Sequence, residues 1–243
     1  MPSRPQRRQR PLPLSVSTVL AFDCAVSGQA VAVLRDGTCL ASRREEGREQ
    51  AARLLPAIGE VLAEAGVARR ALDLIAVTTG PGSFTGVRVG LAAARGLAVG
   101  LGVPLAGFAT TTVLRAQAGT SDKGGDRLVL AAVDSKLGDW FCAIGEDAAP
   151  FAATAEDMAG RLAGRACLVV GHGVAPLVAA LRAAGIDAAV HEGVPDPVVL
   201  ARLALDAGTE GWRARNRADG LPRPLYLRGV NITTPDGTRR TVE

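Results

Sequence analysis

A Gly-Pro-Gly turn at residues 80–82 is the first segment of this chain whose residue types could do chemistry. Glycine-rich turns that lead into a helix can hold a phosphate on their backbone N–H groups, so nucleotide binding is the chemistry to test. The spacing excludes the two common motifs. No Gly-Lys-Ser/Thr follows as a P-loop requires, and Thr85 stands where a dinucleotide fingerprint needs glycine. We therefore predict no phosphate-binding loop at this turn.

The other reactive side chains limit the possible chemistry further. The chain has two histidines, His172 and His191, which are too far apart for local metal-ligand spacing. Its four cysteines form no CxxC pair and lie among apolar residues, a pattern typical of reduced core cysteines. Carboxylates remain as candidates, because Asp23 and Asp134 each end an apolar run, VLAFD and LVLAAVD. Any metal chemistry would depend on such carboxylates.

The segment after the turn predicts a helix that is covered on nearly every side. An apolar run at 72–77 predicts a buried strand, and Ser83 can cap a helix that continues to Leu101. The only charges in that helix are Arg88 and Arg95. Small residues recur every four positions and predict a shallow groove, formed by Gly82, Gly86, Gly90, Ala94 and Ala98. This groove packs either within the same fold or on another molecule, and the sequence leaves both alternatives open.

The order of elements predicts an α/β chain with two similar halves. Each half begins with antiparallel strands that contain an apolar run ended by aspartate, which indicates a duplicated unit. The polar SDKGGD segment at 121–126 is the clearest boundary between them. We therefore predict a flexible basic tail at 1–17, domains at 18–120 and 127–228, and a flexible tail at 229–243.

Composition indicates a soluble globular protein. The chain has 243 residues, of which 48% are hydrophobic and 21% charged, enough for a full core. The formal charge of +4 equals the number of arginines in the first 17 residues, so the remaining chain is close to neutral. No uninterrupted apolar stretch reaches about 18 residues, and we predict a cytoplasmic protein without a membrane span. The arginine-rich tail could give weak RNA affinity.

Several segments together resemble the TsaB family, also called YeaZ. They are GPGSFTGVRVG and AAARGLAVGLGVPLAG around the glycine helix, REQAARLLP at 48–56, VDSKLGDWF around Asp134, and PLYLR at 224–228. The resemblance covers about residues 19–228. It implies the fold of the actin-like, sugar-kinase and Hsp70 (ASKHA) superfamily, with two RNase H-like halves.

The resemblance also implies a function. Members of this family are non-catalytic partners of a paralogous subunit, TsaD, which transfers a threonylcarbamoyl group to the adenosine next to the anticodon of tRNA. A small ATPase, TsaE, joins the complex, and a homodimer is expected without the partner. ATP or ADP and a metal belong to the assembled complex, this chain has no cofactor of its own, and tRNA is an indirect partner.

The same resemblance places the partner interface on the glycine helix and predicts no catalytic or metal-binding residue. The paralogue's metal-binding histidines fall at Thr110 and Leu114, and leucine has no donor atom. The expected interface residues are Gly82, Ser83, Phe84, Thr85, Gly86, Arg88, Val89, Gly90, Ala93 and Ala94.

Two alternatives stay open. Phosphotransferases of the wider superfamily place aspartates where Asp23 and Asp134 stand, so these residues and Ser27 are candidates for nucleotide binding or, equally, structural turn residues. The chain would then be a free-standing ATP-dependent phosphotransferase or a metallopeptidase-like hydrolase. In addition, Gln50 replaces a histidine common in relatives, and we interpret this position as a capping or surface site.

Overall fold

The computed structural model describes residues 17–47, 49–121, 127–145, 148–228, 230–233 and 239–242. Nearly all of the predicted basic tail lies outside the described residues. The same holds for Arg48 and for most of the SDKGGD boundary segment.

The first half of the chain forms a five-stranded mixed sheet. Its strands are β1 (Thr18–Asp23), β2 (Gln29–Arg35), β3 (Thr38–Glu45), β4 (Leu74–Thr78) and β5 (Leu105–Phe108), in the order β3-β2-β1-β4-β5. Strand β2 runs antiparallel to β1 and β3, and the predicted Asp36-Gly37 turn joins β2 to β3 with positive φ at both turn residues. Strands β4 and β5 run parallel to β1. This order is that of an RNase H-like sheet.

Two helices cover one face of this sheet. They are α1 (Gln50–Glu64) and α2 (Phe84–Leu101), separated by a short 3-10 helix (Arg69–Ala71) and β4. Their apolar side chains meet Leu20 and Phe22 of β1 in one buried cluster. Of the helices described, α2 is long and apolar enough to cross a membrane by length and composition alone. Its inner face nevertheless packs on the sheet, as in a core helix.

The second half repeats the same topology. Its strands are β6 (Leu128–Asp134), β7 (Trp140–Ile144), β8 (Phe151–Ala153), β9 (Cys167–His172) and β10 (Ala188–Glu192), in the order β10-β9-β6-β7-β8. Helices α4 (Ala155–Leu162) and α5 (Ala175–Ala183) cover one face. Strand β7 runs antiparallel to β6 and β8, whereas β9 and β10 run parallel to β6. The predicted actin-like α/β fold with two RNase H-like halves is therefore confirmed.

The helix that directly follows the last strand of each half packs on the sheet of the other half. Helix α3 (Thr110–Ser121) follows β5, yet Leu114 and Ala118 are buried against β6 and β9. Helix α6 (Pro197–Asp206) follows β10, yet Leu200 is buried against β1 and β4. The two sheets thus share helices α3 and α6, so residues 197–206 of the predicted second domain lie on the first sheet.

The C-terminal region contains elements that the sequence did not predict. Helix α7 (Gly208–Asp219) escaped prediction because it is polar and contains two glycines. Residues 221–228, here called the strap, then return to α2. Beyond them, where a flexible tail is predicted, β11 (Val230–Thr233) pairs antiparallel with β12 (Arg239–Val242). The β-branched residues on both sides of a Pro-Asp-Gly segment explain this pairing.

Candidate functional site

The Gly-Pro-Gly turn places the start of α2 against the end of β1. Ser83 caps the helix as predicted, because its hydroxyl accepts a hydrogen bond from Gly86 N at 3.2 Å. The backbone N–H of Ser83 donates to Ala25 O at 2.6 Å. The Ser83 N–H group, directly after the turn, therefore joins the helix to the segment after β1. It is used in a contact within the protein and is not available to a phosphate.

The glycine row of α2 faces its own sheet. A Cβ atom on Gly86 would lie 1.9 Å from Cys24 O, and one on Gly82 would lie 2.0 Å from Ala25 O. Gly86, Gly90 and Ala94 are buried. Of the two alternatives for the predicted groove, packing within the same fold therefore describes these residues, and they have no surface to offer a partner. The sequence could not separate the alternatives because the helix is apolar on nearly every side.

The outer face of α2 consists of the other residues of the predicted interface and of four further residues of the helix. Ser83, Phe84, Thr85 and Arg88 are exposed, and Val89 and Ala93 are half-buried. One or two turns further on, small and apolar residues are also exposed, namely Ala92, Gly96, Val99 and Gly100. A Cβ atom on Gly96 would meet no atom within 4 Å. The 3.6-residue period counted from buried Val87 and Leu91 would have identified this face.

The strap packs on the first turns of this outer face. The ring of Tyr226 lies 5.6 Å from that of Phe84, and its hydroxyl accepts a hydrogen bond from Arg88 Nε at 2.8 Å. The Arg88 guanidinium also stacks 3.7 Å above the Phe84 ring. Leu225 N donates to Thr79 O at 2.8 Å, which fixes the strap to the end of β4.

An apolar groove of about 340 Å³ lies between the strap and the second half. It is lined by Phe84 and Val87 of α2, by Leu225 and Tyr226 of the strap, and by Leu137 and Phe141. Leu137, in the β6–β7 turn, is 73% exposed. Arg228 at the end of the strap forms an ion pair with Asp139 of the same turn. The strap therefore connects α2 with the second half.

Asp23 is fully buried at the end of β1. Its Oδ1 accepts hydrogen bonds from Thr78 Oγ1 at 2.5 Å and from Ala25 N at 3.1 Å. Its Oδ2 has no hydrogen-bond partner among the described residues. Burial raises the pKa of this carboxyl above its usual value, against the opposing effect of the two hydrogen bonds. A carboxyl in this position has no exposed surface with which to touch a phosphate.

Asp134 occupies the equivalent end of β6 and is partly exposed. It accepts hydrogen bonds from the backbone N and from Nζ of Lys136, at 2.7 and 2.8 Å. Burial acts to raise the pKa of Asp134, but the contacts with Lys136 outweigh it and hold the pKa below its usual value. Ser27 is half-buried. Asp23 and Asp134 both make the local hydrogen bonds of turn residues, so the structural alternative accounts for their contacts.

The positions that correspond to the paralogue's metal ligands do not fit a metal ion. Thr110 is buried, and Leu114 is part of the cluster beneath the second sheet. Leucine offers no donor atom, and a neutral threonine hydroxyl is a poor ligand by itself. Within the described ranges, no group of three His, Cys, Asp or Glu side chains is placed to hold a metal ion.

Gln50 begins α1 and ties the helix to neighbouring loops. Its Nε2 donates to Gly28 O at 3.4 Å and to Gly47 O at 3.3 Å. These contacts close one side of a polar cavity of about 440 Å³ between β2, β3 and the start of α1. Helix α1 has no side-chain cap hydrogen bond at Glu49, and the interpretation of Gln50 as a capping or surface site stays a prediction.

Comparison with known proteins gives consistent matches. A sequence model of the family described as TsaD, tRNA N6-adenosine threonylcarbamoyltransferase, matches residues 44–181. The tRNA threonylcarbamoyladenosine biosynthesis protein TsaB of Escherichia coli K12 is 37% identical over 125 residues, 51% of this chain and 53% of the relative. The protein of that name from Haemophilus influenzae is 36% identical over 124 residues, 51% and 52% of the two chains. The chain spans about half the length of the curated relatives it matches.

Solved structures match over a longer range. The structure described as YeaZ from Pseudomonas aeruginosa has a TM-score of 0.68 and 28% identity, and the match covers 87% of this chain and all of that one. A second structure, of an uncharacterized Pseudomonas aeruginosa protein with similarity to peptidase YEAZ, has a TM-score of 0.69 and 30% identity with the same coverage. These matches confirm the resemblance inferred from the sequence motifs.

Proposed function

Because the chain belongs to the TsaB/YeaZ family, we propose that it takes part in the synthesis of threonylcarbamoyladenosine in tRNA as a non-catalytic subunit. In this role the outer face of α2 docks on the TsaD paralogue, which transfers the threonylcarbamoyl group. The observation that carries the proposal is the open surface of small residues on the outer side of this helix. The glycines on its inner side pack against the protein's own first half.

The outer face has the composition that close helix packing needs. Alanine at position 92 and glycine at positions 96 and 100 allow the axis of a second helix to approach, because no side chain larger than a methyl group separates the two backbones. Val99 is apolar and 73% exposed, so its burial by a partner would be favourable. At the other end of the face, Arg88 is of a residue type that concentrates binding energy at interfaces, and Phe84 is of a type enriched there.

The remaining partners follow from the same role. We propose that TsaE joins the complex, that tRNA is an indirect partner in the cytoplasm, and that two copies associate through the outer face when TsaD is absent. A surface that accepts a related subunit can accept a second copy across a two-fold axis. The nucleotide and the metal are assigned to the assembled complex. The buried Asp23 and the leucine at position 114 support this assignment over phosphotransfer by the chain alone.

The test is co-expression with the TsaD paralogue and size-exclusion chromatography, with Gly96→Leu as the variant. We expect the variant to elute separately from TsaD, because a leucine would project from the outer face where nothing lies within 4 Å. It should remain folded, since replacing a helical glycine removes a penalty of about 1 kcal/mol.

Gly160→Leu is the matched control. Gly160 is an exposed glycine inside α4 with equally open space around it, far from α2 in the chain. This variant should co-elute with TsaD like the wild type. Co-elution of Gly96→Leu with TsaD at wild-type yield would contradict docking through the outer face. Gly86 is unsuitable for this test, because its substitution collides with the Cys24 backbone and would unfold the monomer.

A further inference from the structure

The apolar groove between the strap and the second half contains side chains that the protein leaves exposed. Its volume is about 340 Å³, and its walls come from α2, the strap and the β6–β7 region. Phe84, Tyr226 and Leu137 line it with 41%, 42% and 73% of their surface exposed. Three of the seven large hydrophobic side chains that are exposed in the described part of the chain therefore meet at one groove. Such a concentration is typical of a surface that binds another molecule.

Arg88 lies at the rim of this groove in a fixed orientation. Its guanidinium stacks 3.7 Å above the Phe84 ring, and its Nε donates to the Tyr226 hydroxyl at 2.8 Å. Within the described ranges, Nη1 and Nη2 have no hydrogen-bond acceptor and no carboxylate forms an ion pair with Arg88. A guanidinium that is held in place with its two outer nitrogens unused matches the two oxygens of a carboxylate.

The other charges at the groove are already neutralised. Arg228 lines the groove and forms an ion pair with Asp139 of the β6–β7 turn. In the same turn, Lys136 Nζ lies 2.8 Å from Asp134 Oδ2. Arg88 therefore gives the groove an excess of one positive charge beside apolar walls. Binding of an RNA backbone draws on several cations, whereas this arrangement fits a single anionic group with an apolar neighbour.

From this arrangement we infer that the groove receives an acidic segment of the TsaD partner, namely an apolar side chain next to an aspartate or glutamate. The apolar side chain packs between Phe84 and Leu137, and the carboxylate binds the Nη groups of Arg88. Docking then engages the second half through Leu137 in addition to the outer face of α2. The identity of the partner rests on the proposed function, whereas the chemistry of the segment follows from the groove.

The test measures the affinity of the full chain for purified TsaD by isothermal titration, with Leu137→Asp as the first variant. Leu137 belongs to the second half, and its 73% exposure means that the change does not threaten folding. We expect binding to weaken at least about tenfold, because the new carboxylate would be buried against apolar walls and would repel the partner's carboxylate.

Val190→Asp is the matched control for this variant. Val190 is an apolar residue of the same half, 47% exposed on strand β10, and it does not line the groove. The substitution introduces the same charge at another exposed apolar position. This variant should bind TsaD as the wild type does.

Arg88→Gln tests the predicted contact with a carboxylate. Glutamine keeps an N–H donor but removes the charge, so binding of TsaD should weaken about tenfold or more. Wild-type binding should weaken as salt rises from about 0.05 to 0.5 M, because salt screens a surface ion pair, and Arg88→Gln should lose much of this dependence. Tyr226→Phe removes the internal hydrogen bond but keeps the guanidinium, and it should bind TsaD more tightly than Arg88→Gln does.

Equal affinity of Leu137→Asp and the wild type for TsaD would overturn the inference. An unchanged salt dependence in Arg88→Gln would do the same. So would binding of tRNA by the isolated chain that Arg88→Gln abolishes, since the bound anion would then be a phosphate. Loss of TsaD binding in Gly96→Leu together with full binding in Leu137→Asp would leave docking through α2 intact and remove only the groove contact. Absence of any complex between the wild-type chain and TsaD would contradict both.

Discussion

Two aspartates at equivalent strand ends differ in their electrostatic state. Asp23 and Asp134 end the first strands of the two duplicated sheets. Burial raises the pKa of Asp23, whereas Lys136 outweighs burial and lowers the pKa of Asp134. The sequence could identify both residues, because each ends an apolar run. It could not predict that their pKa values shift in opposite directions. The shifts depend on how deeply each carboxyl is buried and on its hydrogen bonds with Thr78 or Lys136.

The raised pKa of Asp23 predicts a stability that decreases as pH rises. Native protein holds this proton more tightly than unfolded protein, whose aspartates titrate near 3.9, so stability is lost as pH rises from about 4 through the folded pKa. Asp23→Asn cannot titrate. Its free energy of unfolding, relative to wild type, should therefore increase as pH rises above about 4 in urea titrations.

Asp134→Asn should show the reverse trend. A lowered folded pKa stabilises the native state above about pH 4, and this contribution is lost as pH falls through the folded pKa. The variant should be less stable than wild type at neutral pH and approach it in acid. The same pH trend in both variants would show that the two carboxyls do not differ as described.

Helix α7 shows how a polar helix can complete a sheet. Asn216 accepts a hydrogen bond from Leu105 N at 2.7 Å and donates one to Leu105 O at 3.0 Å. Its amide thus pairs with the edge strand β5 as a neighbouring strand would, and it protects that edge from other chains. Trp212 packs edge-on against Phe108 of the same strand, with ring centroids 5.3 Å apart.

Replacing Asn216 by leucine should expose this edge. Both backbone groups of Leu105 would lose their partner, and we expect the free energy of unfolding to fall by about 1–3 kcal/mol. Hydrogen exchange at the Leu105 amide should accelerate beyond the global change in stability. Ala218→Leu, at an exposed position of α7, is the control and should leave that amide protected. An unchanged Leu105 exchange rate in Asn216→Leu would refute the role of the side chain.

The elements were predictable from the sequence to different degrees. The Asp36-Gly37 turn, the Ser83 cap and the apolar runs of β1 and β6 have strong local signals, and these elements were predicted within a few residues. Strand β8 has three residues, too few for a pattern, and α7 has no apolar period. The face of α2 that its own sheet covers was left open for a different reason. Small and apolar residues occupy nearly every side of this helix, so packing on the sheet decides which side is covered.

At the scale of the whole molecule, the two halves are joined by exchanged helices. Leu114 of α3 is buried beneath the second sheet, and Leu200 of α6 is buried beneath the first. Neither sheet has both faces covered by helices of its own half. The predicted domain boundary at residues 121–126 therefore separates two topological repeats that share their packing.

We expect the chain to unfold in one cooperative transition. Leu114→Ala and Leu200→Ala should each destabilise the protein by about 2–5 kcal/mol, because each leaves a cavity beneath a sheet. Differential scanning calorimetry should show a single peak that shifts to lower Tm in both variants. Leu181→Ala, in the second half alone, should shift the same peak. Two resolved peaks, each moved by substitutions in one half only, would contradict this description.

The strap gives the molecule a natural spectroscopic reporter. Tyr226 is the single tyrosine of the chain, and its ring contacts Phe84 while its hydroxyl accepts from Arg88. Incorporation of 3-fluorotyrosine would thus yield one fluorine resonance from the edge of the outer face of α2. Its chemical shift would respond to docking at that face in solution, and titration with a partner would follow the event without a mutation or an attached dye.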